Sequence, residues 1–199
     1  MARPGARPRT NVLRLASAVL LLAPCTVLAE PVSYVVDPKH TYASFEIDHL
    51  GLSMARGTFD RTTGTITLDA ANGTGEIRIV IDTASIDTGL EKRDEHLRAP
   101  DFFDVEAHPK MTFVARDLHF DAGKLARADG QLTMLGRTRP VSLRINRLAC
   151  GEHPIHKRPV CGADAETSIR RSEWGMMTYV PTIGDEVIIR IGVEAFKLD

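Results

Sequence analysis

HTYASFEIDHLG, residues 40–51, places Ala43, Phe45, Ile47 and His49 on one parity and Ser44, Glu46 and Asp48 on the other. That two-residue period belongs to a strand with one buried face. Two histidines, His40 and His49, bracket the stretch. In one continuous strand they point to opposite faces and lie about 30 Å apart, at ~3.3 Å per residue, so they cannot hold one metal ion together. His49 shares the face of Phe45 and Ile47. The simplest expectation is a core histidine hydrogen-bonded to backbone; the sharper one is a polar marker inside an apolar cavity.

The same alternation recurs outward from this stretch. Ile77/Ile79/Ile81, Met111/Phe113/Ala115, Val141/Leu143/Ile145 and Val187/Ile189/Ile191/Val193 each share a parity. Thr63-Gly64, Asn72-Gly73, Ala122-Gly123 and Asp129-Gly130 offer turns between them, where glycine or asparagine takes positive φ. A run of antiparallel hairpins follows. One segment breaks the period: Thr88-Gly-Leu-Glu91 fits a capping box, and LEKRDEHL, residues 90–97, is rich in helix formers. The spacing predicts a short helix near residues 89–98 that stops before Pro100, with Leu90 and Leu97 on one face.

Residues 1–29 read as an export signal. Arg3, Arg7, Arg9 and Arg14 form a basic front without acids, Leu15 to Ala23 are apolar but too short to span a bilayer, and Val27-Leu28-Ala29 supplies a cleavage site near Ala29. Leu22-Ala23-Pro24-Cys25 has the outline of a lipobox, but proline directly before the cysteine fits one poorly. Without these residues the formal charge of -1 becomes -5. No Lys/Arg cluster then remains to displace counterions from phosphates, which argues against a nucleic-acid partner. Residues 30–199 suffice for one domain with a sizeable core.

CGEHPIHKRPVC, residues 150–161, contains ligands enough for zinc, but Cys-x2-His-x2-His-x4-Cys matches no structural zinc spacing. In an oxidising compartment a Cys150–Cys161 disulfide is the simpler expectation, leaving His153 and His156 as solvated loop residues and no metal site. Nucleophile elbows, phosphate loops, dinucleotide turns and zinc-protease helices are all missing from the sequence. Arg93, Asp94 and His96 form its densest polar cluster, and a salt-bridged helix explains them more simply than acid–base chemistry does. Phe59, Phe102, Phe103, Phe113 and Trp174 are core filler taken singly. An antiparallel sheet of about eight strands closing on itself, however, has an interior that side chains fill or that holds one small ligand. Alanines at 43, 115, 163 and 165 would leave room. Periodicity alone leaves a filled sandwich and a hollow barrel both open.

A resemblance decides between them. Tyr34-x2-Asp37-x2-His40, Phe45-x3-His49-x-Gly51, Gly57-x-Phe59, Arg93-Asp94-x-His96-Leu97 and Asp101-Phe102-Phe103-Asp104 occur in that order. Gly130-x-Leu132-Thr133, Leu135-Gly136-x-Thr138-x-Pro140-Val141 and Asp185-Glu186-Val187 follow. Together, over Tyr34 to Lys197, the chain resembles the YceI family of bacterial exported proteins. Trp174-Gly175-Met176 departs from the phenylalanine expected before this Gly-Met, which alters the cavity's shape there.

The resemblance implies an extended, lipocalin-like antiparallel β-barrel whose pore holds a long isoprenoid lipid, of polyprenyl phosphate or quinone type, carried or stored without catalysis and without a cofactor. Phe45, Ile47, Phe59, Phe113, Leu132 and Leu143 are then expected along the tail, with Phe103 and Trp174 as further aromatic contacts. His49, Arg93 and His96 are expected at polar atoms. The resemblance also implies a periplasmic location, where a transient inner-membrane partner, of which the sequence itself carries no signal, would load or unload the lipid. The rival readings are a structural or stress-related barrel without a ligand, and an enzyme acting on a lipid or quinone through Asp94 or His96. The sequence carries no signal of oligomeric state.

Overall fold

The computed structural model describes Met1 and residues 30–198, so the expected export signal lies outside the described residues. Its spine is the last and one of the longest strands, β11 (Ile183–Lys197), in which Val187, Ile189, Ile191 and Val193 keep one parity. β10 (Pro159–Arg170) runs along one edge, pairing from Arg170↔Glu186 to Val160↔Phe196. The other edge is shared: β2 (Tyr42–His49) covers its first part, and β1 (Val32–Val36) covers Ala195 to Lys197.

From β1 the sheet continues through β4 (Thr62–Asp69), β5 (Thr74–Asp82), β7 (Lys110–Asp121), β8 (Lys124–Met134) and β9 (Arg137–Glu152) to β10. Eight antiparallel strands therefore close a barrel, with β1 and β11 as the closing pair. From β2 a second leaf branches away through β3 (Ser53–Phe59) to the two-residue β6 (Ile86–Asp87). One short helix, α1 (Glu91–Arg98), follows β6.

The barrel is solid over part of its length. Ile77, Phe113, Leu118, Leu125, Val141 and Leu143 are all buried there, around Ala115 and Ala128 at 0% exposure. Burying such aliphatic or aromatic side chains contributes about 1.5–3 kcal/mol each. Two glycines expected in turns lie inside strands instead. Gly64 is in β4 and Gly130 in β8, where close approach, not turning, excludes a side chain. A Cβ on Gly64 would sit 2.3 Å from the Arg78 carbonyl, and one on Gly130 would sit 2.6 Å from the Phe113 ring. Asn72-Gly73 and Ala122-Gly123 do make the turns between β4 and β5 and between β7 and β8.

α1 forms where LEKRDEHL predicts it, but without the capping box. Leu90 occupies the N-cap and offers no side-chain bond. Thr88 instead donates its amide (2.9 Å) and its hydroxyl to Asp94, a buried carboxylate one turn into the helix. Leu90 is 53% exposed, whereas Leu97 turns inward, so the two do not share a buried face. Cys150 and Cys161 are disulfide-bonded across directly paired positions of β9 and β10. Closing that loop contributes about 3 kcal/mol in the chain-entropy model. His153 is not simply solvated: its ring packs on His156 and on Phe196, at 4.6 and 5.5 Å between centroids.

Candidate functional site

Between the β2–β3 leaf and the barrel lies a cavity of about 330 Å³, at the small end of the range for ligand pockets. One wall is the inward parity of β2, where Phe45, Ile47 and His49 line it beside Ala55 and Phe59 of β3. β11 supplies Ile183, Val187 and Ile189. The opposite wall is Ile81 of β5, Met111 of β7, and Leu132 and Met134 of β8. Leu97, Phe102 and Phe103, from α1 and the turn after it, cover the space between these walls.

The aromatic rings interlock along it. Phe45 and Phe59 stand 5.9 Å apart, and Phe59 meets Phe103 edge-on at 5.4 Å. Phe45 can lie against β3 because Gly57 has no side chain; a Cβ there would come within 2.6 Å of its ring. Hollow and solid parts thus coexist in one sheet. The strand parity is the same in both, and what differs is whether a cross-barrel neighbour reaches in.

Polar groups gather at the mouth. The Arg93 guanidinium donates to the Thr88 hydroxyl and carbonyl, both at 2.7 Å. Among the described residues no carboxylate lies within salt-bridge distance of it. Arg56 is held 3.4 Å from Glu46, which also pairs with Arg190. His96 meets Phe102 edge-on at 4.9 Å and Tyr179 at 6.3 Å. Thr88 is the lining hydroxyl bonded to a carboxylate, but it also accepts from Arg93, and the arrangement ties α1 to the end of β6.

Of the residues expected at a ligand, Phe45, Ile47, His49 and Phe59 line the cavity, as do Arg93, His96, Phe103 and Leu132. Phe113, Leu143 and Trp174 do not. Phe113 and Leu143 belong to the packed part of the barrel. Trp174 is 1% exposed, and its indole N–H donates to the Leu132 carbonyl behind the lining. His49 is exposed at the mouth, not a core histidine, and His40 bonds Asp37 before β2 begins. Of the small residues expected to leave room, Ala43 borders the cavity; Ala115 and Ala165 are buried in the sheet, and Ala163 does not line it.

Arg171 is a lining residue that sequence pattern does not signal, because arginine is normally a surface residue. At 3% exposure, its guanidinium donates to the carbonyls of Gly184 (2.8 Å), Ile183 (3.1 Å) and Met176 (3.3 Å). Burial pushes the group below the usual guanidinium range, and Asp185 partly offsets that. Asp185 in turn accepts from the Ser172 amide and hydroxyl. Its place in the Asp185-Glu186-Val187 motif, with Trp174-Gly175-Met176 before it, was the sequence clue to this corner.

On the outer face, Asp117, His119 and Asp129 bring three donor atoms within 4.8 Å of one another. Arg127 occupies the cluster, donating to Asp129 at 3.1 Å and lying 2.9 Å from the His119 ring nitrogen. Its charge serves the role a cation would, and the group is an ion-paired surface patch away from the cavity.

The model of the YceI-like domain family matches residues 34–195, and the chain belongs to that family. It is 30% identical over 190 residues to Protein YceI of Escherichia coli O157:H7, covering 95% of this chain and 98% of that one. Among solved structures, Burkholderia cenocepacia BcnA superposes with a TM-score of 0.66 at 23% identity, over 80% of this chain and 98% of its own. A polyisoprenoid binding domain from Saccharophagus degradans, implicated in plant cell wall breakdown, gives 0.62 at 16% identity, over 83% and 98%. These two likenesses concern the fold.

Proposed function

We propose that this member of the YceI-like family binds the hydrocarbon chain of a long isoprenoid lipid in its cavity, carrying or storing it without chemical change. The observation that carries the reading is the distribution of polarity: Phe45, Phe59, Phe103, Met111 and Leu132 line the interior, while Arg56, Arg93 and His49 stand at the mouth. Each CH2 group withdrawn from water contributes about 0.8 kcal/mol, against the cost of ordering the chain. A branched polyprenyl tail suits interlocked aromatic and aliphatic walls, and its polar head would meet the cations and imidazoles outside. The Saccharophagus degradans domain, named for polyisoprenoid binding, has the same fold and supports this choice of ligand class. The basic, then apolar, start of the chain supports export to the periplasm.

Titrating the purified protein with a polyprenol tests the reading. Saturable binding with no product after prolonged incubation is expected. Turnover that disappears in Asp94→Asn or His96→Gln would replace it with an enzyme, and failure to bind any polyprenyl compound would leave a structural barrel.

A further inference from the structure

Two loops meet at the cavity mouth, and both are uncharged in a chain that is 26% charged. The first, residues 50–55, reads LGLSMA and comprises the turn after β2 with the first residues of β3; the second, residues 175–184, reads GMMTYVPTIG and runs into the first two residues of β11. They are in direct contact, since the Leu50 amide donates to the Thr182 carbonyl and Ile183 pairs with His49. Their large apolar side chains face water: Leu52 is 83% exposed, Met177 58%, Tyr179 57% and Leu50 49%. Leu50 and Gly51 adopt φ of 65° and 68°, so this tip projects as a tight turn.

Exposed apolar side chains scattered singly are ordinary, whereas a contiguous set marks an interaction surface. The two stretches that carry these four adjoin the cavity: Tyr179 and Ile183 of one, and His49 directly before the other, belong to its lining. The barrel wall away from the mouth is laced with ion pairs such as Arg78–Glu76, Arg116–Glu76 and Arg144–Glu166. Arg56 and Arg93 flank the mouth on the side of β3 and α1.

We propose that this rim is a bilayer-docking surface: Leu50, Leu52, Met177 and Tyr179 insert at the lipid–water boundary and set the cavity mouth against the membrane. The proposal rests on the cavity being a lipid site, and it names how that site is filled. A long isoprenoid is too apolar to cross water, so a mouth sealed onto the acyl region lets the chain slide from bilayer to barrel without being hydrated. Tyrosine with one greasy and one polar end suits that depth, and arginines around an apolar tip suit phospholipid headgroups. A second copy of the chain could cover the same patch, but a face-to-face pair would close the mouth that the ligand must use.

The test is flotation of the purified protein with vesicles of phosphatidylethanolamine and phosphatidylglycerol, in low and high salt, beside calorimetric binding of farnesol. The double variant Leu52→Ser/Met177→Ser changes only exposed rim positions outside the lining. Flotation of the native protein in both salts is expected, reduced at least roughly ten-fold in the variant because two side chains no longer leave water. Farnesol affinity should be unchanged. Absence of native flotation, equal flotation of the variant, or flotation abolished by high salt would overturn the proposal. So would light scattering that finds a dimer converted to monomer by the variant. Rim-dependent flotation without farnesol binding would uphold the docking surface while removing the cavity reading, so the two fail separately.

Discussion

Asp37 and His40 form the pair whose chemistry depends most openly on pH. The imidazole Nδ1 lies 2.8 Å from the Asp37 carboxylate. The hydrogen bond to His40 holds Asp37 below its ordinary 3.8, and the bond to Asp37 raises His40 above 6.5. A raised histidine stabilises the fold fully below pH 6.5 and loses that contribution as pH rises through its folded value. The depressed aspartate stabilises above pH 3.8 and loses its contribution as pH falls through its own. The expected result by NMR is a His40 titration midpoint above 6.5 that returns to the ordinary value in Asp37→Asn; an unmoved midpoint would separate the pair. At this scale the sequence was legible where parity governs. Phe45, Ile47 and His49 follow the two-residue period straight into the cavity lining. It was illegible where depth governs, since Phe113 and Leu143 share the inward parity but sit at the packed level of the barrel. Alternation specifies the face of a strand and carries no information about the height at which a neighbour fills the lumen.

Elements tell the same story through their ends. The strands and α1 are written in hydrophobic period and helix propensity, and both were readable. Tertiary hydrogen bonds set how they are fastened, as when Thr88 serves the buried Asp94 in place of a capping box. The mouth loop before β11 has no regular structure of its own, and Arg171 fastens both its ends, donating to the carbonyl of Met176 and to those of Ile183 and Gly184 at the start of β11. Arg171→Met removes those donors and leaves buried acceptors without partners. A loss of roughly 3 kcal/mol is expected in denaturant unfolding. A loss below ~1 kcal/mol would mean that the loop finds other donors.

Across the whole molecule, the branch of the sheet at β11 is what makes room. The eight-strand ring closes tightly where β1 pairs with β11, while β2 and β3 lean away on the same edge and α1 covers the gap. Antiparallel hairpins were readable from the alternating segments, while closure into a barrel of about eight strands came from the family resemblance; the branch came from neither, because nothing local distinguishes β2 and β3 from ring strands. Solid and hollow parts should therefore respond oppositely to mutation. Phe113→Ala is expected to cost about 3–5 kcal/mol and leave ligand affinity unchanged. Ala55→Phe, directed into the cavity, should abolish polyprenol binding while stability stays within about 1 kcal/mol. Unfolding and binding curves for both variants check this, and a ligand still bound by Ala55→Phe would place the site elsewhere. The most direct measurement is organic-solvent extraction of the protein purified from its native compartment without detergent, followed by mass spectrometry. An isoprenoid lipid recovered in near-stoichiometric amount is the expected result; protein that yields none, and takes up none when polyprenyl lipids are supplied, would contradict a lipid-filled cavity.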